Sequence, residues 1–170
     1  MANDWNGEND MGPVSIDNEW LSAVLPDGFV SVPHAELEAF MRFRYDCMWG
    51  VRDDARHMLI CITWKDSNKL LTRLVSEKSW AKQVDETFSK RYRADNYRCQ
   101  GFFTRNVRGA SGGAWGFRFS YMTDGVAQDG EVLTFKRGIR CYTLCYYSQS
   151  DRAGENRPAY EAILTSLEVH

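Results

Sequence analysis

No apolar run in this 170-residue chain approaches the roughly 18 residues of a membrane-spanning helix. The opening stretch, MANDWNGEND, has neither the basic start nor the apolar core of a secretory signal. The expectation is a soluble protein of the cytoplasm. Positive charge is not in excess: 21 Lys and Arg stand against 23 Asp and Glu, a net charge of −2. Neutralising a phosphate backbone takes a clustered basic surface, so nucleic acid is not an expected partner. The usual signatures of metal and nucleotide chemistry are missing too. C-x-x-C, H-E-x-x-H and G-x-x-x-x-G-K-[ST] do not occur, and His34, His57 and His170 fall in separate segments. Neither a metal nor a cofactor is expected. Internal repeats and low-complexity segments are absent as well.

What is present fits one globular domain. Hydrophobic residues make up 44% and aromatics 14%, enough to build a core. The five cysteines are scattered among apolar stretches, and an odd number so placed reads as reduced, mostly buried thiols rather than a disulfide framework. Residues 1–13 mix Asn, Asp, Gly and Trp without period and read as a flexible arm; 14–170 form the domain. After Val14–Val24, the LPDGF turn suggests a first hairpin. HAELEAF after Pro33 suits a short helical turn. In FMRFRYDCMW, Met41, Phe43, Tyr45, Cys47 and Trp49 alternate with polar or smaller neighbours, which predicts a strand, with VRDDAR as its turn. HMLICITWK is apolar on both faces and reads as a central strand.

Between Asn68 and Tyr92 the rhythm changes. Trp80, Val84, Phe88 and Tyr92 recur every fourth residue, which predicts an amphipathic helix over about 76–92, with Ser76 or Ser79 as its N-cap. Four strands follow, NYRCQGFFTRNV, AWGFRFSYMT, EVLTFKRG and IRCYTLCYYSQ, punctuated by Asp124-Gly125 and Asp129-Gly130 as hairpin turns. Pro158 opens a last helix with Tyr160, Ile163, Leu164 and Leu167 on one stripe. Strands in runs with one long helix between them argue for an α+β class: an antiparallel β-sheet flanked by helices.

GASGG at 109–113 matches G-x-S-x-G, the nucleophile elbow of α/β-hydrolases. An elbow needs a helix after the serine. Here an alternating strand follows, and the sole histidine beyond Ser111 is His170, at the chain end. The glycine cluster therefore reads as a loop in which Gly109, Gly112 and Gly113 supply positive φ. His57 beside Asp53 and Asp54 offers an acid–base pair but equally a solvated turn. Cys141 and Cys145 share a face of one strand about 13 Å apart, too far for one metal.

The arginines are the remaining pattern. Arg42, Arg44, Arg98, Arg118 and Arg140 alternate on several expected strands, and gathered on one sheet face they would suit an acidic ligand through forked bonds to a carboxylate. The competing reading has long Arg stems covering apolar surface with their heads in water. Candidate binding residues are thus Arg42, Arg44, Arg118 and Arg140, with Trp5 as a contact anchor.

The element order resembles the Mog/PsbP-like α/β/α sandwich, a group that includes DcrB-like and secretion-chaperone proteins. VLPDGF is similar to that family's early turn, SWAKQVDETFSKRY sits where its main helix lies, and RCYTLCYYSQSDRAGENRPAYEAILTSLEV is similar to its closing strand, polar loop, helix and short strand. The resemblance covers about 14–170 as a pattern. It implies a non-catalytic protein-binding or scaffolding domain, of which a secretion-chaperone-like adaptor is one form. The expected partner is another protein, with a homodimer left open. The alternatives are a carrier of a small acidic ligand on the arginine face and a serine hydrolase built on Ser111 and His57.

Overall fold

A computed structural model describes residues 15–17, 19–42 and 48–170. Trp5, Arg44, Cys47 and the expected arm over 1–13 lie outside these. In chain order the elements are β1 (Ser15–Asp17), β2 (Leu21–Val24), β3 (Val30–Ser31), α1 (His34–Met41), β4 (Met48–Asp53) and β5 (Met58–Asp66). Then come α2 (Lys69–Leu74), α3 (Glu77–Arg91), β6 (Arg98–Arg105), β7 (Ala114–Thr123), β8 (Val126–Arg137), β9 (Arg140–Gln149), α4 (Ala153–Ser166) and β10 (Glu168–Val169). Seven strands form one sheet in the order β3-β4-β5-β9-β8-β7-β6, and β1-β2-β10 form a second. The strand pairs in both sheets are antiparallel.

The central strands of the large sheet are buried on both faces, which is why β5 and β9 read as nearly continuous apolar runs. One face carries Ile60, Ile62, Leu133, Tyr142, Leu144 and Tyr146 against α4 and the small sheet. The other carries Cys61, Phe117, Phe119, Val132, Cys145 and Tyr147 against α1 and α3. The result is an α/β/α sandwich of α+β class. The central prediction, an amphipathic helix between strands, holds closely. Ser76 caps α3, its side chain accepting from the Ser79 backbone N at 3.1 Å. Lys90 and Arg91 occupy the last turn, where positive charge suits the helix dipole. Phe88 drives into the sheet, edge-to-face with Phe119 at 5.4 Å and Phe117 at 6.0 Å.

Several expectations are corrected. Alternation over 40–49 predicts a strand, but α1 runs through Met41, because Leu37 and Met41, one turn apart, are both buried. Arg42 then ends the helix in a left-handed conformation (φ 53°) instead of sitting on a strand. VRDDAR is half strand: β4 continues to Asp53 and the chain turns over 54–57. The LPDGF turn closes no hairpin. It carries the chain from β2, paired with β1 and β10, to β3, paired with β4.

Asp124-Gly125 does turn a hairpin, between β7 and β8. Asp129-Gly130 lies inside β8. Gly130 opposes Phe119 in register, and a Cβ there would lie 2.2 Å from the Phe119 ring. The glycine marks a close approach rather than a turn. The last helix begins at Ala153, before Pro158, which is accommodated inside it. Buried Asn156 anchors that early turn by donating to Arg56 O at 2.8 Å and Ser148 Oγ at 2.7 Å.

Candidate functional site

Ser111 lies in a loop between β6 and β7, as the strand pattern after it predicts, and β7 is a strand where an elbow needs a helix. Its Oγ accepts from Gly138 N at 3.0 Å, and its own N donates to Lys136 O at 2.7 Å. Both bonds tie the loop to the β8–β9 turn. Of the three glycines around it, Gly109 adopts positive φ (80°), and a Cβ there would lie 1.9 Å from Val169 O; Gly112 and Gly113 do not. The expectation that all three supply positive φ is corrected to Gly109.

His57 is far from this loop. It precedes Met58, which pairs with Ser148 at one end of β9, whereas Lys136 pairs with Cys141 near the other. At about 3.3 Å per residue that separation is about 20 Å. Asp53, beside His57, is buried and held by Arg56, accepting its backbone N at 3.0 Å and its guanidinium.

Arg118 and Arg140 do share a sheet face, with α4 and the small sheet. They stand apart on it. Arg118 opposes Glu131, which opposes Tyr146, and Arg140 lies six positions before Tyr146 on β9. Each already has an acid. Glu131, 1% exposed, accepts from Arg118 Nε at 3.1 Å, Arg157 at 2.8 Å and Tyr160 OH at 3.1 Å. Arg157 also pairs with Glu161 at 2.6 Å, and Arg105 grips Glu161 from β6. These bonds hold the Glu161 carboxyl below its ordinary value. Arg140 grips Asp66 through Nε at 2.7 Å and NH2 at 2.9 Å and lies 3.7 Å from the Trp20 ring centroid. That grip depresses the Asp66 carboxyl. Arg42 lies on the opposite side, paired with Asp95 at 2.7 Å and lying over Tyr92. Arg98 is exposed on the edge strand β6. The network partners Arg105, Glu131, Arg157 and Glu161 escape a sequence reading because β pairing and helix docking join them from distant positions. The Arg157/Glu161 spacing of one helical turn is the single local clue.

Two hollows flank α1. One, of about 280 Å³, opens between α3 and the sheet and is lined by Met41, Trp64, Trp80, Val84, Phe88 and Cys145 among others. None of the candidate arginines lines it. The other, of about 210 Å³, has Glu36, Arg52, Asp54, His57 and Tyr147 on its walls. Among the described residues no group of three or more His, Cys, Asp or Glu is placed to hold a metal ion. No helix among them is long and apolar enough to cross a membrane.

No protein-family model and no curated protein sequence matches the chain. Solved structures do. The solution structure of cyanobacterial PsbP (CyanoP) from Synechocystis sp. PCC 6803 is similar at TM-score 0.70 and 13% identity, over 99% of this chain and 98% of that one. LpqN of Mycobacterium tuberculosis, described as involved in cell envelope biogenesis, is similar at TM-score 0.56 and 12% identity, over 92% of this chain and 89% of that one. At such identities the likeness is one of fold. The likeness extends over nearly the whole chain, and the chain has the PsbP-like fold.

Proposed function

We propose that this chain is a non-catalytic protein-binding domain that docks an apolar segment of another protein on the end of the large sheet where α2 and the β8–β9 turn meet. The observation that carries the reading is a pair of leucines. Leu70 and Leu74, one turn apart on α2, are 68% and 71% exposed. Ile139 in the β8–β9 turn is also exposed, and Ser67 N, three residues before Leu70, donates to its carbonyl at 2.9 Å. The helix that presents them is fastened in place. Lys136 Nζ donates to Thr72 O at 2.9 Å and Val75 O at 2.7 Å. Large apolar side chains exposed one turn apart on a secured helix suit a partner contact. A secretion-chaperone-like adaptor is one specific form of this role.

Two alternatives have less support. A hydrolase would need Ser111 free and beside a base, whereas its Oγ is engaged by Gly138 and His57 is at the other end of β9. A carrier on the arginine face would have to exchange Glu131 or Asp66 for the ligand's own carboxylate, a near-neutral swap. The test is affinity capture from the native host with quantitative mass spectrometry, wild type against Leu70→Asp/Leu74→Asp. Burying two leucines is worth about 3–6 kcal/mol, so one stoichiometric partner should fall by more than about tenfold in the variant. Equal recovery by both chains, or no partner with the wild type, overturns the reading.

A further inference from the structure

Three sulfurs converge in the core between α1 and the sheet. Cys61 on β5 and Cys145 on β9 oppose each other in register on the face of the sheet that packs against α1 and α3. Met41, the last residue of α1, comes down on them. The Cys61 thiol donates to Met41 Sδ at 3.6 Å, and Tyr147 OH donates to the same sulfur at 3.3 Å. Cys61, Cys145 and Met41 are all buried, and Met41 and Cys145 also form part of the wall of the 280 Å³ hollow under α3. Two of the three sulfur residues thus border an opening, and Cys61 lies enclosed behind them.

Metal–thiolate bonds near 2.3 Å set the sulfurs of a trigonal site about 4 Å apart, close to the 3.6 Å between Cys61 Sγ and Met41 Sδ. Thiolate and thioether donors are soft and select Cu(I). Zinc fits poorly, since it favours a fourth donor and no cluster of His, Cys, Asp or Glu supplies one among the described residues. We propose that Cys61, Cys145 and Met41 form a binding site for a soft monovalent metal ion, Cu(I), entered from the hollow under α3.

Binding one Cu(I) expels one proton from each thiol, so two Cu–thiolate bonds and one Cu–thioether bond form and two protons leave. The site changes from neutral to a single negative charge. The hydrogen bond with Cys145 and burial push the Cys61 thiol well above its ordinary value, so the metal has to displace both protons. Tyr147 fixes the thioether by donating to one of its lone pairs, leaving another for the metal.

The test is anaerobic titration of Cu(I) against bicinchoninate, on a full chain carrying Cys47→Ser and Cys99→Ser to remove two of the three thiols outside the site. One equivalent should bind, with affinity rising by up to about 100-fold per pH unit as two protons are released. Cys61→Ser and Cys145→Ser should abolish it, Met41→Leu should weaken it more than tenfold, and Cys141→Ser should retain it. Should the serine variants fail to fold, X-ray absorption of the Cu(I)-loaded parent decides: three sulfurs at roughly 2.3 Å support the site. Nitrogen or oxygen ligands, no bound equivalent, or equal binding by folded Cys61→Ser/Cys145→Ser overturn it.

Discussion

Glu131 organises one face of the sheet through a single buried carboxylate. Arg118, Arg157 and Tyr160 all donate to it. Both arginines reach partly into solvent, so removing the acid lets them rehydrate, but the Tyr160 hydroxyl is buried and loses its acceptor. Glu131→Ala is expected to cost about 2–3 kcal/mol in urea denaturation, and a loss below about 0.5 kcal/mol would show that the network contributes nothing net. The GASGG loop offers a sharper contrast. Gly109→Ala meets Val169 O and a left-handed backbone together, and should destabilise by at least about 1–3 kcal/mol. Gly112→Ala, with Glu77 Oε1 3.7 Å from its Cβ position, should stay within about 0.5 kcal/mol. The alternation after GASGG marks it as a loop, but no local pattern tells which glycine meets β10, since that depends on where β10 docks.

At the scale of elements, legibility followed how local the cause was. The helix α3 is set by its own stripe and its own cap, and its range of Glu77–Arg91 matches the expected 76–92 within a residue or so. The strand β7 matches AWGFRFSYMT because each alternate side chain meets the same core. The α1/β4 region did not read correctly. Met41 satisfies both a period of two with Phe43 and a helical period with Leu37, and packing on Cys61 and Tyr147 selects the helix. The arginine face was half legible: period two places Arg118 and Arg140 on one face, but their acids arrive from β8 and β5. Since α3 is held on the sheet by Phe88, Phe88→Ala should cost about 3–5 kcal/mol. Ser76→Ala, losing only the cap, should cost about 1 kcal/mol. Thermal unfolding of the two variants should rank them in that order, and the reverse order would mean that α3 is held by its terminus.

For the whole molecule, stability should be bounded by protons at both ends of the pH scale, unequally. On the acid side, Asp66 and Glu161 are the carboxylates held below their ordinary values of 3.8 and 4.5, in each case first through hydrogen bonds from an arginine. A depressed folded value means that the unfolded chain takes up protons first, so their contribution is present above those ordinary values and fades as pH falls through the folded ones. Both groups are partly exposed, so this loss is small and gradual. On the alkaline side the balance is steeper. Tyr92, Tyr97, Tyr121, Tyr142, Tyr146, Tyr147 and Tyr160 all have their hydroxyls raised above the ordinary 10.0, with burial the first cause in each. Here the folded chain keeps protons that the unfolded chain releases, so stability is intact below pH 10 and falls above it. While the pH lies between its unfolded and folded values, such a tyrosine removes up to about 1.4 kcal/mol per pH unit, and the four held furthest above the ordinary value, Tyr97, Tyr121, Tyr147 and Tyr160, together exhaust the 5–15 kcal/mol of a typical domain within about one to three units. Tyrosinate absorbance and tryptophan fluorescence, followed together against pH, should change in a single steep step above pH 10. A graded tyrosine titration centred near 10, with the fluorescence of the folded state unchanged, would mean that these rings are open to solvent and that the two-sided core is looser than its packing indicates.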